Sequence, residues 1–311
     1  MCGVLYGVCA GSCTASTLTT VGELQVNLRS PHGVRDASVS DRYGHLVTSY
    51  HDDLRLAHVL ADAVEPLTTS RFRAQDLVVE QKADLTPVTD ADIAVEETLR
   101  SQLKRTRPRD AVQGEEQGLV GHGPRRWVVD PIDGTKNFVR GVPVWATLIA
   151  LVDGDEPVVG MVSAPALGRR WWAGKGTGAW TGRSLTGARR IQVSKVRRIA
   201  DASMSYANVR DWGSIGRREE MLALMDDCWR SRAYGDFWSH MLVAEGAVDF
   251  APEPELAEYD MAALAPIVVE AGGQFTGLDG RPWCWSGNAL SSNGLLHDEV
   301  LGRLGNADET S

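Results

Sequence analysis

Residues 127–138, WVVDPIDGTKNF, set two carboxylates, Asp130 and Asp133, around a proline and follow them at once with a Gly-Thr pair. The apolar run RWVVD predicts a buried strand that ends at Asp130, where Pro131 stops the ladder and Gly134 permits a tight turn. Two hard oxygen ligands then converge at a strand end, with the carbonyl of Ile132 between them. That set suits Mg²⁺, with Mn²⁺ as a substitute, better than Zn²⁺, and no Cys/His cluster competes for the role. If GTKNF opens a short helix, the free N–H groups of Gly134 and Thr135 face whatever the metals bind, and a helix terminus favours an anion there. A cation site beside an anion site fits a phosphate. A purely structural role is also open to the same turn, as a strand-to-helix connection with Asp133 as N-cap.

Three further acidic segments accompany it. Upstream, GEEQG places Glu115 and Glu116 between glycines shortly before the metal strand. Further upstream, TPVTDADIAVEETL offers Thr89 or Asp90 as a helix cap, with Ile93, Leu99 and Leu103 at helical spacing behind it. Downstream, EYDMAALAPIVVEAGG has Asp260 at the front of an apolar helix that ends in a double glycine. Each segment alone has an ordinary explanation as a surface loop or a cap.

Together and in this order, the four segments resemble the inositol monophosphatase-like family of Mg²⁺-dependent phosphatases, from about His51 to about Leu304. Within the family, DGTKNFVRGVPVWATLIAL, SAPALGRRWWAGKGTGAW and RAYGDFWSHMLVAEGAVD resemble the bacterial, actinobacterial-type histidinol-phosphate phosphatase branch more than the inositol-specific enzymes. Two departures stand out. Tyr259 precedes Asp260 where the family usually has Trp, and Lys136 follows Thr135 where inositol enzymes usually have Thr. Neither removes a proposed ligand.

The resemblance implies that Glu115, Asp130 and the Ile132 carbonyl hold one metal and that Asp130, Asp133 and Asp260 hold a second, with Asp130 bridging. Glu115 would be shared with a weaker third. It also gives Asp90 and Thr135 the orientation and deprotonation of the attacking water, and gives the Gly134 and Thr135 amides the phosphate. Arg232, Asp236 and Glu253 would approach the leaving group, where two acids suit a cationic amino-alcohol bearing an imidazole. As structural residues, the same three would be surface acids and an ion-pair partner. The implied reaction is hydrolysis of L-histidinol phosphate in histidine biosynthesis by metal-activated water without a covalent intermediate. An inositol monophosphatase or broad sugar phosphatase is the alternative. Uncatalysed phosphate-monoester hydrolysis is so slow that enzymes accelerate it by up to ~10²¹, which makes charge stabilisation the main requirement.

Composition agrees with a globular enzyme: 311 residues, 43 % hydrophobic and 23 % charged. A net charge of −9, with basic runs as short as Arg197-Arg198, argues against a nucleic-acid partner. No apolar run reaches transmembrane length, which argues against a membrane partner. The five cysteines, Cys2, Cys9, Cys13, Cys228 and Cys284, form no even framework, so a reducing cytoplasm is the simplest compartment. Residues 1–46 lack periodicity and read as a poorly ordered extension, with Val47 as an alternative start that would make them a gene-start artefact.

Residues 47–311 read as the phosphatase domain, with a metal and phosphate α+β half to about 188 and an α/β half from about 189. Helices are expected at 52–72, 90–104, 217–228 and 260–271. Strands are expected at 146–152 and 158–163 around a turn at Gly154. Residues 237–250 should run from helix into strand, and the final NADETS should fray. Periodicity alone yields α/β or α+β. The resemblance implies a layered αβαβα sugar-phosphatase fold, metals where the halves meet, a small phosphorylated substrate and a homodimer.

Overall fold

The computed structural model describes residues 50–82, 85–282 and 286–305. The expectations for residues 1–46 and for the final NADETS fall outside that range, as do four of the five cysteines. Cys228 is a free thiol.

The chain begins with α1 (His51–Arg71), the short pair β1 (Val79–Gln81) and β2 (Pro87–Thr89), and α2 (Asp90–Thr106). An eight-stranded sheet follows from β3 (Ala111–Gly114), β4 (Gly118–Val120), β5 (Arg125–Asp133), β6 (Ala146–Asp153), β7 (Glu156–Ala164), β8 (Arg169–Gly174), β9 (Ala179–Gly182) and β10 (Arg189–Arg190), with α3 (Thr135–Arg140) between β5 and β6. Its order is β10-β9-β8-β7-β6-β5-β3-β4. The remainder comprises β11 (Ser203–Ser205), α4 (Asp211–Ser214), α5 (Arg218–Asp227), β12 (Arg230–Arg232), α6 (Asp236–Ala244), β13 (Phe250–Glu253), α7 (Glu258–Met261), α8 (Leu264–Glu270), β14 (Gln274–Thr276), β15 (Ala289–Ser292) and α9 (His297–Leu304). Its five strands are ordered β12-β11-β13-β15-β14.

Strand alternation sorts the apolar residues into layers. Trp127, Val129, Ile149 and Leu151 face α1 and α2, whose Leu60, Val64, Leu99 and Leu103 are fully or almost fully buried. Val128, Leu148, Ala150 and Trp171 face the opposite way, against Phe237 and Met241 of α6 and Leu264, Ile267 and Val268 of α8. Those two helices also cover Ala251 and Ala289 of the second sheet. The far side of that sheet packs Met204, Phe250 and Leu290 on Leu224 of α5 and Val300 of α9. The result is the αβαβα layering that the resemblance implied.

Several local expectations are corrected. Pro131 does not end the strand. β5 continues to Asp133 and pairs with β6 through an irregularity, Asp130 opposite Leu148 and Asp133 opposite Ala146. Three steps on β5 thus match two on β6, so one extra residue is absorbed as a bulge. Ile93 lies on the solvent side of α2, and Ala91 and Val95 take the buried positions instead. The 260–271 helix begins earlier, at Glu258, and divides into α7 and α8. Asp260 is therefore its N3 residue, accepting the Ala257 N–H at 2.7 Å, and not its N-cap. Thr89, not Asp90, caps α2, in a reciprocal capping box with Asp92.

The middle helical layer is seated closely. A Cβ on Gly160 of β7 would lie 2.2 Å from the Ala263 carbonyl oxygen and 2.8 Å from Pro266 Cγ. We therefore expect Gly160→Ala to lower stability by about 1–3 kcal/mol, read as a drop in urea midpoint without a change in slope. An unchanged midpoint would show that α8 is not held against β7.

Candidate active site

The bulge in β5 decides where the carboxylates point. Residues three apart on a regular strand face opposite sides, and the extra residue returns Asp133 to the side of Asp130. That side is the one Val128 shares, facing the middle helices. Asp260 arrives there on α7, which is tied back to β5 by an ion pair between Arg126 and Glu258. Carboxylate oxygens of Asp130, Asp133 and Asp260 all lie within 4.8 Å of one another, with Asp130 buried and the other two half-buried. The Ile132 N–H donates to Asp130 at 3.0 Å and the Phe237 N–H donates to Asp133 at 2.8 Å, which fixes both carboxylates.

Burial, then the neighbouring carboxylates, push Asp130 and Asp133 well above the usual carboxylate range. Burial followed by the charge of Glu115 carries Asp260 up to about 7. Three hard oxygen donors crowded this closely fit a divalent cation, which would relieve the repulsion between them.

Glu115 comes from the turn between β3 and β4. Since β3 runs parallel to β5 with Gly114 beside Val129, Glu115 follows at the same sheet end as Asp130. Its carboxylate accepts from Lys82 Nζ at 2.6 Å, and the same ammonium pairs with Glu116 at 2.7 Å. Burial opposes the charge on Lys82, but the two glutamates outweigh it and raise its pKa.

Thr135 donates to the Ile132 carbonyl at 2.9 Å, so the backbone oxygen between the two aspartates is held from the start of α3. Gly134 caps α3 with φ +81° and carries no side chain for good reason, since a Cβ there would come 2.9 Å from the Val144 carbonyl. Asp90 binds Arg71 at 2.7 Å, and its other oxygen is buried without a partner. The Thr135 hydroxyl is thus directed at Ile132 and Asp90 at Arg71, so the two residues are not a hydrogen-bonded pair here.

Asp236 begins α6 with φ +49°, directly after Gly235 at φ +82°, and accepts from Asn137 Nδ2 at 2.7 Å. Burial raises its carboxyl to about 6. Glu253, at the end of β13, is 5 % exposed, and its Oε1 has no hydrogen-bond partner. Burial and then the charge of Asp236 push it well above the usual range. Arg232 stays on the exposed edge strand β12, donating to the carbonyl of its own neighbour Ser231, and no contact joins it to the carboxylates.

Sequence alone assigns no role to Lys82 or Asn137. Lys82 lies shortly before TPVTDADIAVEETL and Asn137 within GTKNF, but nothing local signals that their partners lie 33 and 99 positions away.

Without a divalent cation, the crowding makes stability depend on pH. The native protein holds protons on Asp130, Asp133 and Asp260 that the unfolded chain releases near pH 4, so stability falls as pH rises from about 4 through about 7. Thermal melts in EDTA should shift downward between pH 5 and 8, and Mg²⁺ should restore most at the upper end. A melting temperature that climbs over this range in EDTA would contradict the clustering.

Residues 51–306 match the inositol monophosphatase family. A histidinol-phosphatase of Streptomyces coelicolor is 63 % identical over 259 residues, 82 % of this chain and 97 % of its own length. The histidinol-phosphatase of Mycobacterium tuberculosis is 56 % identical over 257 residues, 82 % and 98 % of the two chains. Among solved structures, an inositol monophosphatase from Zymomonas mobilis superposes with a TM-score of 0.73 at 31 % identity, covering 83 % of this chain and 99 % of its own. The family is metal-dependent, and among the described residues no helix is long and apolar enough to cross a membrane. With its layered fold and three-carboxylate cluster, the chain belongs to the inositol monophosphatase family.

Proposed function

We propose that this protein is a histidinol-phosphate phosphatase, hydrolysing L-histidinol phosphate to L-histidinol and phosphate. The observation that carries the substrate assignment is Glu253, a buried carboxyl with one unpartnered oxygen, standing with Asp236 next to the metal cluster. A buried acceptor without a donor calls for one from the ligand. The ammonium or imidazolium of histidinol supplies a donor together with a positive charge that balances the two acids, whereas the hydroxyls of inositol supply donors without the charge. The two relatives at 63 % and 56 % identity bear the name of the same activity.

In this reading Glu115, Asp130, Asp133, Asp260 and the Ile132 carbonyl hold Mg²⁺, two or three ions per site. The ions supply neutralisation of the phosphoryl oxygens and a lowered pKa for bound water. The chain's own residues do the rest. The N–H groups of Gly134 and Thr135, at a helix start where no intrahelical acceptor exists, donate to the phosphate. Asp90 is held by Arg71, and the acid of α2 whose charge reaches both Asp130 and Glu115 is Asp92, which also keeps one buried oxygen without a partner; Asp92 is therefore better placed than Asp90 to accept a proton of the attacking water. Asp236 and Glu253 seat the cationic end of the alcohol and so orient the leaving oxygen. The reading extends to a homodimer acting in the cytoplasm.

Phosphate release should show a strong preference for L-histidinol phosphate over myo-inositol 1-phosphate, abolished by EDTA. The reverse preference would retain the chemistry and remove the substrate. Asp130→Asn should lower kcat by about 10³-fold or more with the fold intact by circular dichroism, and wild-type turnover in that variant would remove the metal assignment. Asp236→Asn and Glu253→Gln should each cost about 10- to 100-fold in kcat/KM on histidinol phosphate and far less on inositol phosphate. Equal losses on both substrates would place the specificity pocket elsewhere.

A further inference from the structure

The turn that carries Glu115 is held from beneath by a residue outside the carboxylate cluster. Glu96 of α2 is fully buried, and its two carboxylate oxygens accept the N–H of Glu116 at 2.7 Å and the N–H of Gln117 at 3.0 Å. These donors lie in the three-residue connection between β3 and β4, beyond the last ladder pair, Gly114 opposite Gly118. Arg100, one turn along α2, donates Nε to Glu96 at 2.8 Å and reaches the carbonyls of Val112 and Gly118 on either side of the turn. Gly114 makes room for this arrangement, because a Cβ there would fall 2.3 Å from the Glu96 carboxyl carbon. The carboxylate therefore occupies the space a side chain at 114 would fill, and it serves as the acceptor that the turn's amides lack.

We propose that Glu96 is a positioning residue for the Glu115 metal ligand. Its carboxylate, oriented by Arg100, fixes the backbone at 116 and 117 and so aims Glu115 at the end of β5. The proposal rests on the reading of Glu115 as a ligand. A buried carboxylate accepting two backbone N–H groups sets the turn in one conformation, and supporting groups of this kind typically alter metal affinity about 10- to 100-fold.

The test is Mn²⁺ binding to the full-length protein, followed by the electron paramagnetic resonance signal of the free ion, with amide hydrogen exchange at 116 and 117 in parallel. Glu96→Gln keeps size but turns an amide donor toward the turn's N–H groups. It should weaken one class of Mn²⁺ site by about 10- to 100-fold, leave the other within about threefold, and expose both amides to exchange. Gly114→Ala, which pushes the carboxylate from its seat while keeping its charge, should do the same and serves if Glu96→Gln does not fold. Glu115→Gln should weaken the same class, and the Glu96→Gln, Glu115→Gln double variant should bind no more weakly than Glu115→Gln alone. Additive losses, or a wild-type titration in a folded Glu96→Gln protein, would overturn the proposal and leave Glu115 as a ligand. A wild-type titration in Glu115→Gln would overturn the ligand reading and the proposal with it.

Discussion

Three carboxylates within 4.8 Å of one another in a largely buried setting are the constraint on which the molecule depends. Ionised together, they would repel by roughly 3–4 kcal/mol per pair at the effective dielectric of a partly solvated site, and this is why they retain protons when no cation is bound. No short stretch of chain would adopt this arrangement by itself. It persists because each carboxylate is delivered by an element whose position is fixed by apolar packing elsewhere. Asp130 and Asp133 ride on a strand whose other residues, Trp127 to Val129, are clamped between two helical layers. Asp260 rides on a helix tied to that strand by Arg126 and Glu258. The hydrophobic layers hold together groups that could not ionise together unaided, and a divalent cation that takes the place of their protons is what the site is built to receive.

The middle layer links the two sheets to the site. α6 and α8 pack against both sheets, so the position of Asp260 just before α8, and of Asp236 at the start of α6, is set relative to β5 by the same buried surface. Glu270, at the other end of α8, accepts the N–H groups of Gly176 and Gly178 at 2.7 Å each, pinning that helix to the turn between β8 and β9. Phe237 joins the two functions directly. Its ring is part of the core, and its N–H holds Asp133.

Charge runs outward from the cluster in a graded way. Lys82 balances Glu115 and Glu116 on one flank, whereas no cation is bonded to Asp236 or Glu253 among the described residues on the other. Lys136 reaches Asp236 through its charge and without an ion pair, and this flank, where no cation is paired among the described residues, is the one assigned to the leaving group. A ligand that carries its phosphate toward the metals and its amine toward Glu253 matches that polarity at both ends. A neutral polyol matches it at one.

The spacing of short-range signals made much of the molecule readable. Apolar runs on either side of the Gly154 turn marked β6 and β7, a cap and helical spacing marked α2, and the DPIDGT turn announced a cation site beside an anion site. The assembled ligand set and the layered fold came from the resemblance of four segments taken together, not from any one of them. Tertiary structure alone decided the rest. Proline chemistry argued that the strand stops at Asp130, but ladder pairing with β6 carried it on through a bulge, and only that bulge turns Asp133 to the side of Asp130. As apolar residues of α2, Ile93, Leu99 and Leu103 group together in the sequence, but six residues at about 3.6 per turn set Ile93 about 120° away from Leu99, and the buried face runs through Ala91, Val95, Leu99 and Leu103 instead. Lys82, Asn137 and Glu96 act on partners 20 to 99 positions away, across elements brought together only by core packing. A sequence displays which groups exist and which local shapes they prefer; which distant groups meet depends on how its buried faces close upon one another.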